Sequence, residues 1–538
     1  MVLQSLLFLH SRVALQELDA SQLAVGLLLL PVSLVLYHAL IKRERANDKY
    51  KKPYRPSKTL PFFENLIDAV SHLDDNHDWM TGMCKEAQGQ PILLKSLGQP
   101  PFVLVTTPEL IEDVQKTQFE VFPKGEMQCE ILGSVIGDGI IAVDGAKWVH
   151  QRKTASHLFT ARSLRDSMTV SMRKYTTVLL RVLDRAREGG HSIDLFKLLN
   201  RFTMEAFAEI GFGIQMDCLE KEEEHPFQSA FDSIQRTIVL HFILPGFVWK
   251  LQALLGIGAE GRFKKDLKVI DDTVLDIIAK SIQRRQDSAD KHDSADLVSL
   301  FLDHYESSPE NKDKEFDPRY LRDIVVTFMI AGRDTTAQAL SWFFVALTQH
   351  PYVAEKIREE VKRVVPDLYE GKIDSPSMEQ AQLLTYLEAA LRETLRLYPS
   401  VPMTIKSAAE DAVLCDGTFV RKGSRVGMPI YAMGRMTYLW GPDAEEFKPE
   451  RWIDPATGKI IHVSPYKFLS FNAGPRMCLG MNLALLEMKI VASSVLSRFD
   501  IEVLKPEEVK YDFSLTLPIR GELQVNIHDA EMSNATRI

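Results

Sequence analysis

The chain has 538 residues, 45% hydrophobic, 25% charged and 9% aromatic, the composition of a folded globular protein rather than of a disordered or collagen-like chain. Its 64 Lys and Arg against 73 Asp and Glu leave a net charge of −9, which excludes a general nucleic-acid binder, because neutralising phosphates needs a cationic surplus. The five cysteines, Cys84, Cys129, Cys218, Cys415 and Cys478, form no CxxC pair, so neither a disulfide framework nor a structural zinc site is expected.

After a short segment, residues 1–22, the chain runs from 23 to 41 for 19 residues without a charge, close to the roughly 20 residues that a bilayer-crossing helix needs. Eight Lys and Arg follow between Lys42 and Lys58, whereas the first twenty residues hold only Arg12. The positive-inside rule then predicts a single transmembrane helix over 23–41 with everything after it in the cytosol. A cleaved signal peptide or a buried core helix would compete for the same segment. The length of the run, the lack of a small-residue cleavage site before the basic cluster and the position at the chain end weigh against both. Residues 42–61, with Pro53, Pro56 and Pro61, read as a stiff basic linker. Residues 62–538 contain no second linker, repeat or low-complexity tract and read as one large domain.

Within that domain, helical periodicity marks residues 150–185, 196–213, 263–286, 318–349, 351–365, 378–397 and 479–498. The helix over 318–349 has a readable start, with Asp317 placed to cap it and Pro318 at its first position. Strand signals are shorter: ILLKSL and FVLVTT around 92–107, a hairpin-like stretch over 412–426 with an Asp-Gly turn, and ELQVNI near the end. The expected class is mainly α with small peripheral β-sheets.

Several short motifs carry chemistry. Trp148 and Arg152 stand one helical turn apart, the spacing of a packing or cation–π pair. The stretch Ala331-Gly332-Arg333-Asp334-Thr335-Thr336 puts a glycine and two threonines inside a long helix. The glycine alone costs about 1 kcal/mol there relative to alanine, so local opening of the helix is expected. Glu393 and Arg396 share one helical face at i, i+3, ordinarily a surface ion pair of little worth, and Arg451 follows in PERW (449–452). The strongest signal is Phe471-Asn-Ala-Gly474-Pro-Arg476-Met-Cys478-Leu-Gly480, directly before a helical pattern. Its glycines let backbone approach a flat group closely, and a cysteine ahead of a helix N-terminus gains thiolate character.

Together these motifs resemble those of the cytochrome P450 family, and the resemblance runs along the whole chain after the anchor. It implies the P450 fold and assigns Cys478 as the proximal thiolate ligand of haem iron, here haem b (iron protoporphyrin IX). Such a ligand pushes electron density toward bound oxygen. Phe471, Gly474, Arg476, Gly480 and Ala331 are expected around the haem, with Trp148 and Arg152 at a propionate. Lys406 matches a second propionate-contacting position where many relatives carry Arg; it keeps the charge but loses bidentate geometry. The resemblance gives Thr335 the oxygen-activating role with Asp334 as its acid partner. It joins Glu393, Arg396 and Arg451 in a buried network that braces the cysteine loop.

The activity implied is that of a haem-thiolate monooxygenase, using O2 and electrons that originate from NADPH. No flavin or nicotinamide fold is present in the sequence, so a separate NADPH–cytochrome P450 reductase is the expected partner, with cytochrome b5 as a further one. Hydroperoxide-rearranging relatives typically lack the acid–threonine pair, which speaks against that activity, and a haem sensor would need no oxygen-activating groups. The phrases FPKGE (122–126), GDGI (137–140), YAMGRM (431–436) and WGPDAEEFKPERW most resemble the long-chain fatty-acid ω-hydroxylase branch; sterols, alkanes and foreign compounds are the alternatives. An acyl chain would suit an apolar channel lined by Phe328, Ile330, Ala331, Val401, Leu515 and Leu517, each of which could equally be a core residue. The expected location is the endoplasmic reticulum membrane with the catalytic domain in the cytosol, where the Asn534-Ala-Thr536 sequon would go unused.

Overall fold

The computed structural model describes residues 50–56, 63–221, 223–287, 296–307 and 318–530. The apolar run 23–41, most of the linker, Asp317 and the sequon at Asn534 lie outside them. Among the described residues no helix is long and apolar enough to cross a membrane. The chain forms two compact units. In the smaller one, Lys51 pairs with Asp416 at 2.7 Å and Tyr50 stacks on Phe419 at 5.1 Å. Gly417 supplies the positive φ (87°) that its turn requires.

The larger unit, Pro53–Cys415 with Val420–Ile538, is mainly helical. Its first half contains α1 (Asn76–Ala87), β1 (Ile92–Leu94), β2 (Phe102–Leu104), α2 (Glu126–Ile136), α3 (Gly145–Ser156), α4 (Thr169–Gly189), β3 (Ile193–Asp194) and α5 (Leu195–Phe212). Then come α6 (Pro226–Ile243), α7 (Gly246–Leu255), α8 (Gly258–Asp287), α9 (Leu297–Ser307), α10 (Pro318–Gln349), α11 (Pro351–Val364) and α12 (Thr385–Leu397). The chain closes with β4 (Thr404–Ser407), β5 (Arg425–Met428), α13 (Met481–Arg498), β6 (Phe499–Val503) and β7 (Gln524–Asp529). Two small sheets lie among these elements. One has the order β1-β2-β5-β4, with β2 and β5 parallel and the other pairs antiparallel; the other is antiparallel in the order β3-β7-β6.

Helix α10 organises the core. It is apolar on nearly every side, the pattern of a helix buried all round. Its C-terminal half (Trp342, Phe343, Leu347) packs with α4, α11, α12 and α13. Its N-terminal half (Ile324, Val325, Phe328) packs with α5, α6, α8 and α9. The loop after α2 is tied to this helix: Gly137 has φ 51°, and the Asp138 N–H donates to Asp323 Oδ2 at 2.8 Å.

Two expected helices are broken. The run 150–185 divides at Thr160, whose hydroxyl accepts the Ser163 N–H at 3.1 Å and starts a new short turn, followed by a π turn at Leu164–Met168 before α4. The run 378–397 divides at Leu383 and Leu384. The buried Glu360 carboxylate takes the Tyr386 and Leu387 N–H groups at 2.7 and 2.9 Å, satisfying the free donors at the start of α12. The last two residues of the hairpin-like stretch 412–426 belong to β5 and lie parallel to β2. Helices α1, α2, α6, α7 and α9 were not among the expected elements, although Phe227, Ala230, Phe231, Ile234 and Ile238 give α6 a buried apolar stripe at helical spacing.

Candidate active site

A cavity of about 590 Å³ lies beside α10 and the loop ahead of α13, within the range of small-molecule sites. Cys478 opens into it. The cysteine loop is shaped by its own backbone: the Cys478 N–H donates to Phe471 O at 2.8 Å, and Asn472 and Gly474 adopt positive φ of 59° and 63°. Asn472 tolerates this because its side-chain oxygen accepts the Ala473 N–H at 2.9 Å and the Gln115 amide at 2.9 Å. Gly474 has a second reason to lack a side chain. A Cβ there would lie 2.6 Å from Gln115 O, which a π turn at Asp113–Thr117 presses against the loop. Burial pushes the Cys478 thiol up, opposed by the Gly480 N–H and the Arg152 charge.

Four cations gather on one side of this loop. Arg476 donates to Val143 O at 3.0 Å and to Asp144, and its guanidinium lies 4.4 Å from the centre of the Trp148 ring. Arg152 lies 5.9 Å from the same ring. Lys406 is 2% exposed, and its ammonium has no hydrogen-bond partner among the described residues. Burial first, then Lys124 and Arg476, push its pKa down to about 7. Lys124 is likewise pushed down to about 8, by burial first and then by Arg476. Asp144 is the carboxylate that offsets this cluster. Such buried, under-compensated positive charge is costly unless an anion joins it.

The donor set therefore fits haem. Cys478 would be the iron ligand; Arg476, Lys124, Arg152 and Trp148 would hold the carboxylates, with the Lys406 charge behind them; Ala331, Phe471 and Gly480 line the cavity around them. Gly474 and Lys406 do not line the cavity themselves. Gly474 shapes the loop, and Lys406 stands behind the wall with its ammonium 5.2 Å from the centre of the Phe119 ring.

On α10 the helix is continuous through the AGRDTT patch, with no local opening. Gly332 is there for packing, since the Phe207 ring of α5 occupies the space a side chain would need. Thr335 lines the cavity and its hydroxyl donates to Ala331 O at 2.8 Å. Asp334 does not line it: its carboxylate pairs with Arg333 at 3.0 Å and accepts the Gln235 amide at 2.7 Å. Gln235 of α6 does line the cavity, so Asp334 reaches that space through it. Burial pushes the Asp334 carboxyl up to about 6, against the pull of Arg333.

Phe328, Ile330, Val401 and Leu515 line the cavity; Leu517 does not. Leu517 is fully buried in the core, where its carbonyl accepts the Trp342 indole N–H at 2.9 Å, and Thr516 takes the lining position. Away from the cavity, Glu393 forms the centre of a closed polar network. Arg396 donates to both its oxygens at 2.7 and 2.8 Å, Arg451 at 2.8 Å, the Trp452 indole at 2.9 Å and the Lys448 N–H at 2.8 Å. Arg396 also reaches the carbonyls of Gly434, Ala444 and Glu446. Arg451 reaches that of Asp443. This ties α12 to the segment that leads into the cysteine loop.

Sequence reasoning missed Lys124, Gln115, Gln235 and Asp144 as residues of this site, and Arg425 and Glu487 among the residues that line the cavity. Only Lys124 had a signal, as the cation within FPKGE.

The cytochrome P450 family model matches residues 54–524. The chain is 36% identical to cytochrome P450 86B1 of Arabidopsis thaliana over 435 residues, 79% of this chain and 77% of that one. It is 35% identical to cytochrome P450 704C1 of Pinus taeda over 474 residues, 85% and 89% of the two chains. With cytochrome P450 94C1 of Arabidopsis thaliana it shares 36% identity over 459 residues, 84% and 89%.

Proposed function

We propose, for a chain that belongs to the cytochrome P450 family and is a haem-thiolate monooxygenase, that the substrate is a long-chain fatty acid hydroxylated at or near its terminal carbon. Haem is the family's cofactor, O2 its co-substrate and a reductase its electron source. The observation that carries the finer reading is the apolar part of the cavity wall. Phe328, Ile330, Val401 and Leu515 give it an apolar surface, suited to a flexible hydrocarbon whose burial contributes about 0.8 kcal/mol per methylene. The resemblance of the FPKGE, GDGI and YAMGRM phrases to the fatty-acid branch supports the same choice.

Haem bound beside Cys478 would supply activation of O2, one oxygen atom going into a C–H bond and the other leaving as water with the reductase's electrons. The chain supplies placement and protons. Phe328, Val401 and Leu515 hold the hydrocarbon and exclude water. Thr335 Oγ1 brings a hydroxyl proton to the cavity, held on Ala331 O. Gln235 links the cavity to the Asp334 carboxyl, whose raised pKa lets it hold a proton near neutral pH.

We propose further that the haem is haem b, that cytochrome b5 is an additional partner, and that residues 23–41 anchor the protein in the endoplasmic reticulum membrane with the catalytic domain cytosolic. The length of the uncharged run and the basic cluster after it support the anchor.

The test is turnover of purified protein with reductase and NADPH on a mixture of saturated and unsaturated long-chain fatty acids, with products mapped by mass spectrometry. Terminal or near-terminal hydroxylation is the expected result. No fatty-acid product from a protein whose reduced CO complex shows the thiolate spectrum would overturn the substrate while leaving the class standing. Cys478→Ser is expected to abolish that spectrum.

A further inference from the structure

One charged side chain in the cavity wall has no role in the site described so far. Arg425 opens β5 and is 8% exposed. It lines the cavity. Its guanidinium lies 4.8 Å from the centre of the Phe102 ring, Nη1 donates to Phe242 O at 3.0 Å, and Nε meets no acceptor. Among the described residues no carboxylate pairs with it. A buried guanidinium without a counter-ion is costly, and its planar fork matches a carboxylate in a bidentate pair.

Arg425 is separate from the cations around Asp144. Lys406 is the register partner of Val426, one residue on from Arg425, and successive strand residues point to opposite faces. Burial alone lowers the Arg425 pKa, to about 10, whereas Lys406 is also pushed down by Lys124 and Arg476.

Its position along the cavity also matters. Ser400 Oγ donates to Thr335 O at 2.7 Å, which ties the start of the next segment to α10. Residues 400–405 line the cavity from there, and β4 ends at Ser407, directly opposite Arg425. Seven residues span at most about 24 Å when extended, and the three strand steps from Thr404 to Ser407 account for about 10 Å. A strip of wall at most about 24 Å long therefore leads from the Thr335 end of the cavity to Arg425, the length scale of an extended long-chain acyl group.

We infer that Arg425 receives the carboxylate of the substrate and holds a long-chain fatty acid by its polar end, with the distal carbons toward Thr335 and Cys478. This rests on the substrate class proposed above. Arg425 is then a specificity-determining residue: it selects acids over neutral lipids of the same length and sets which carbon reaches the reacting end.

The experiment is a pair of titrations on the haem-loaded full-length protein and on Arg425→Gln, which keeps a donor for Phe242 O. Hexadecanoic acid and hexadecanol are each added while the Soret band reports the spin state. For the variant, the Kd of the acid is expected to rise about 10- to 100-fold, the worth of a charge-assisted hydrogen-bond pair, while that of the alcohol changes less than about twofold. Arg425→Lys, which keeps the charge without the fork, is expected to fall between. Equal weakening of acid and alcohol would make Arg425 a packing residue and overturn the inference, as would an unchanged acid Kd. Either result leaves the fatty-acid reading intact. A wild-type protein that binds neither compound overturns that reading and this inference together. If Arg425→Gln does not accumulate, Arg425→Lys decides: selective weakening of the acid supports the anchor, and equal effects on both ligands overturn it.

Discussion

The ring of Phe207 fills the space above Gly332: a Cβ on residue 332 would lie 2.2 Å from the ring's Cδ2. Both residues face the cavity, and Phe207 is held between α5 and its neighbours. Gly332→Ala must therefore push the ring into the substrate space or force α5 away from α10. Overpacking of this kind costs about 1–3 kcal/mol, against a gain of about 1 kcal/mol in helix propensity. A lower thermal midpoint of the haem-loaded protein is expected. Phe207→Leu in the same chain should recover part of it, which makes the two effects non-additive. A Gly332→Ala protein as stable as the parent, with no coupling to residue 207, would show that the close approach is not what the glycine serves.

That glycine shows where sequence reading stops. Gly332 stood out as an exception in a helical pattern, and the exception was read as an opening of the helix. The helix is continuous; the cause is a ring 125 positions away in the chain, which no local pattern reports. The cysteine loop was legible because its residues are contiguous and each needs its neighbour's geometry. Gln115 was not, since it meets Asn472 across 357 positions and comes from a π turn without a sequence signature. Leu515 and Leu517 were both expected to line the channel. The segment is irregular there, so residues two apart need not share a face, and Leu517 turns into the core. Asp334 was expected beside Thr335 as its acid partner on the strength of the resemblance. Adjacent helical residues sit about 100° apart around the axis, so one faces the cavity and the other faces α6.

Gln235 is the bridge this leaves. Its amide donates to Asp334 at 2.7 Å, and its oxygen accepts the hydroxyls of Ser514 and Thr516 at 3.2 and 3.1 Å. Gln235→Leu removes the link between the buried acid and the cavity while keeping bulk. The expected outcome is normal haem incorporation, continued NADPH oxidation and a several-fold fall in product formed per NADPH, with peroxide making up the difference. Thr335→Ala should show the same partition. Coupling that is unchanged in Gln235→Leu and in Asp334→Asn would limit Asp334 to a structural pairing with Arg333.

Glu393 is fully buried and satisfied by five donors, so removing one partner leaves charge uncompensated in the core. Arg451→Leu is expected to cost about 3–5 kcal/mol and to weaken retention of the haem, because the chain between α12 and the cysteine loop loses its tie. Arg396→Lys should not rescue the network. One ammonium cannot reproduce a fork that serves Glu393 together with the carbonyls of Gly434, Ala444 and Glu446. Thermal unfolding and transfer of haem to a scavenging apoprotein measure the two effects separately. A stable Arg451→Leu protein with normal haem retention would reduce the network to an ordinary ion pair.

Glu487 of α13 makes the stability of the protein depend on pH. It is buried in the cavity wall, and burial pushes its carboxyl from an ordinary 4.5 up to about 8, with a hydrogen bond to Thr336 pulling the other way. A pKa raised by folding means that the folded protein binds the proton more tightly than the unfolded chain. The stability linked to this group is fully present below pH 4.5 and is lost as pH rises through about 8. Glu487→Gln mimics the neutral acid and removes the dependence. Relative to that variant, the wild-type thermal midpoint is expected to decline steadily between about pH 5 and pH 8 and to level off above. Parallel profiles for the two proteins across that window would mean that Glu487 is ionised and paired in the folded state.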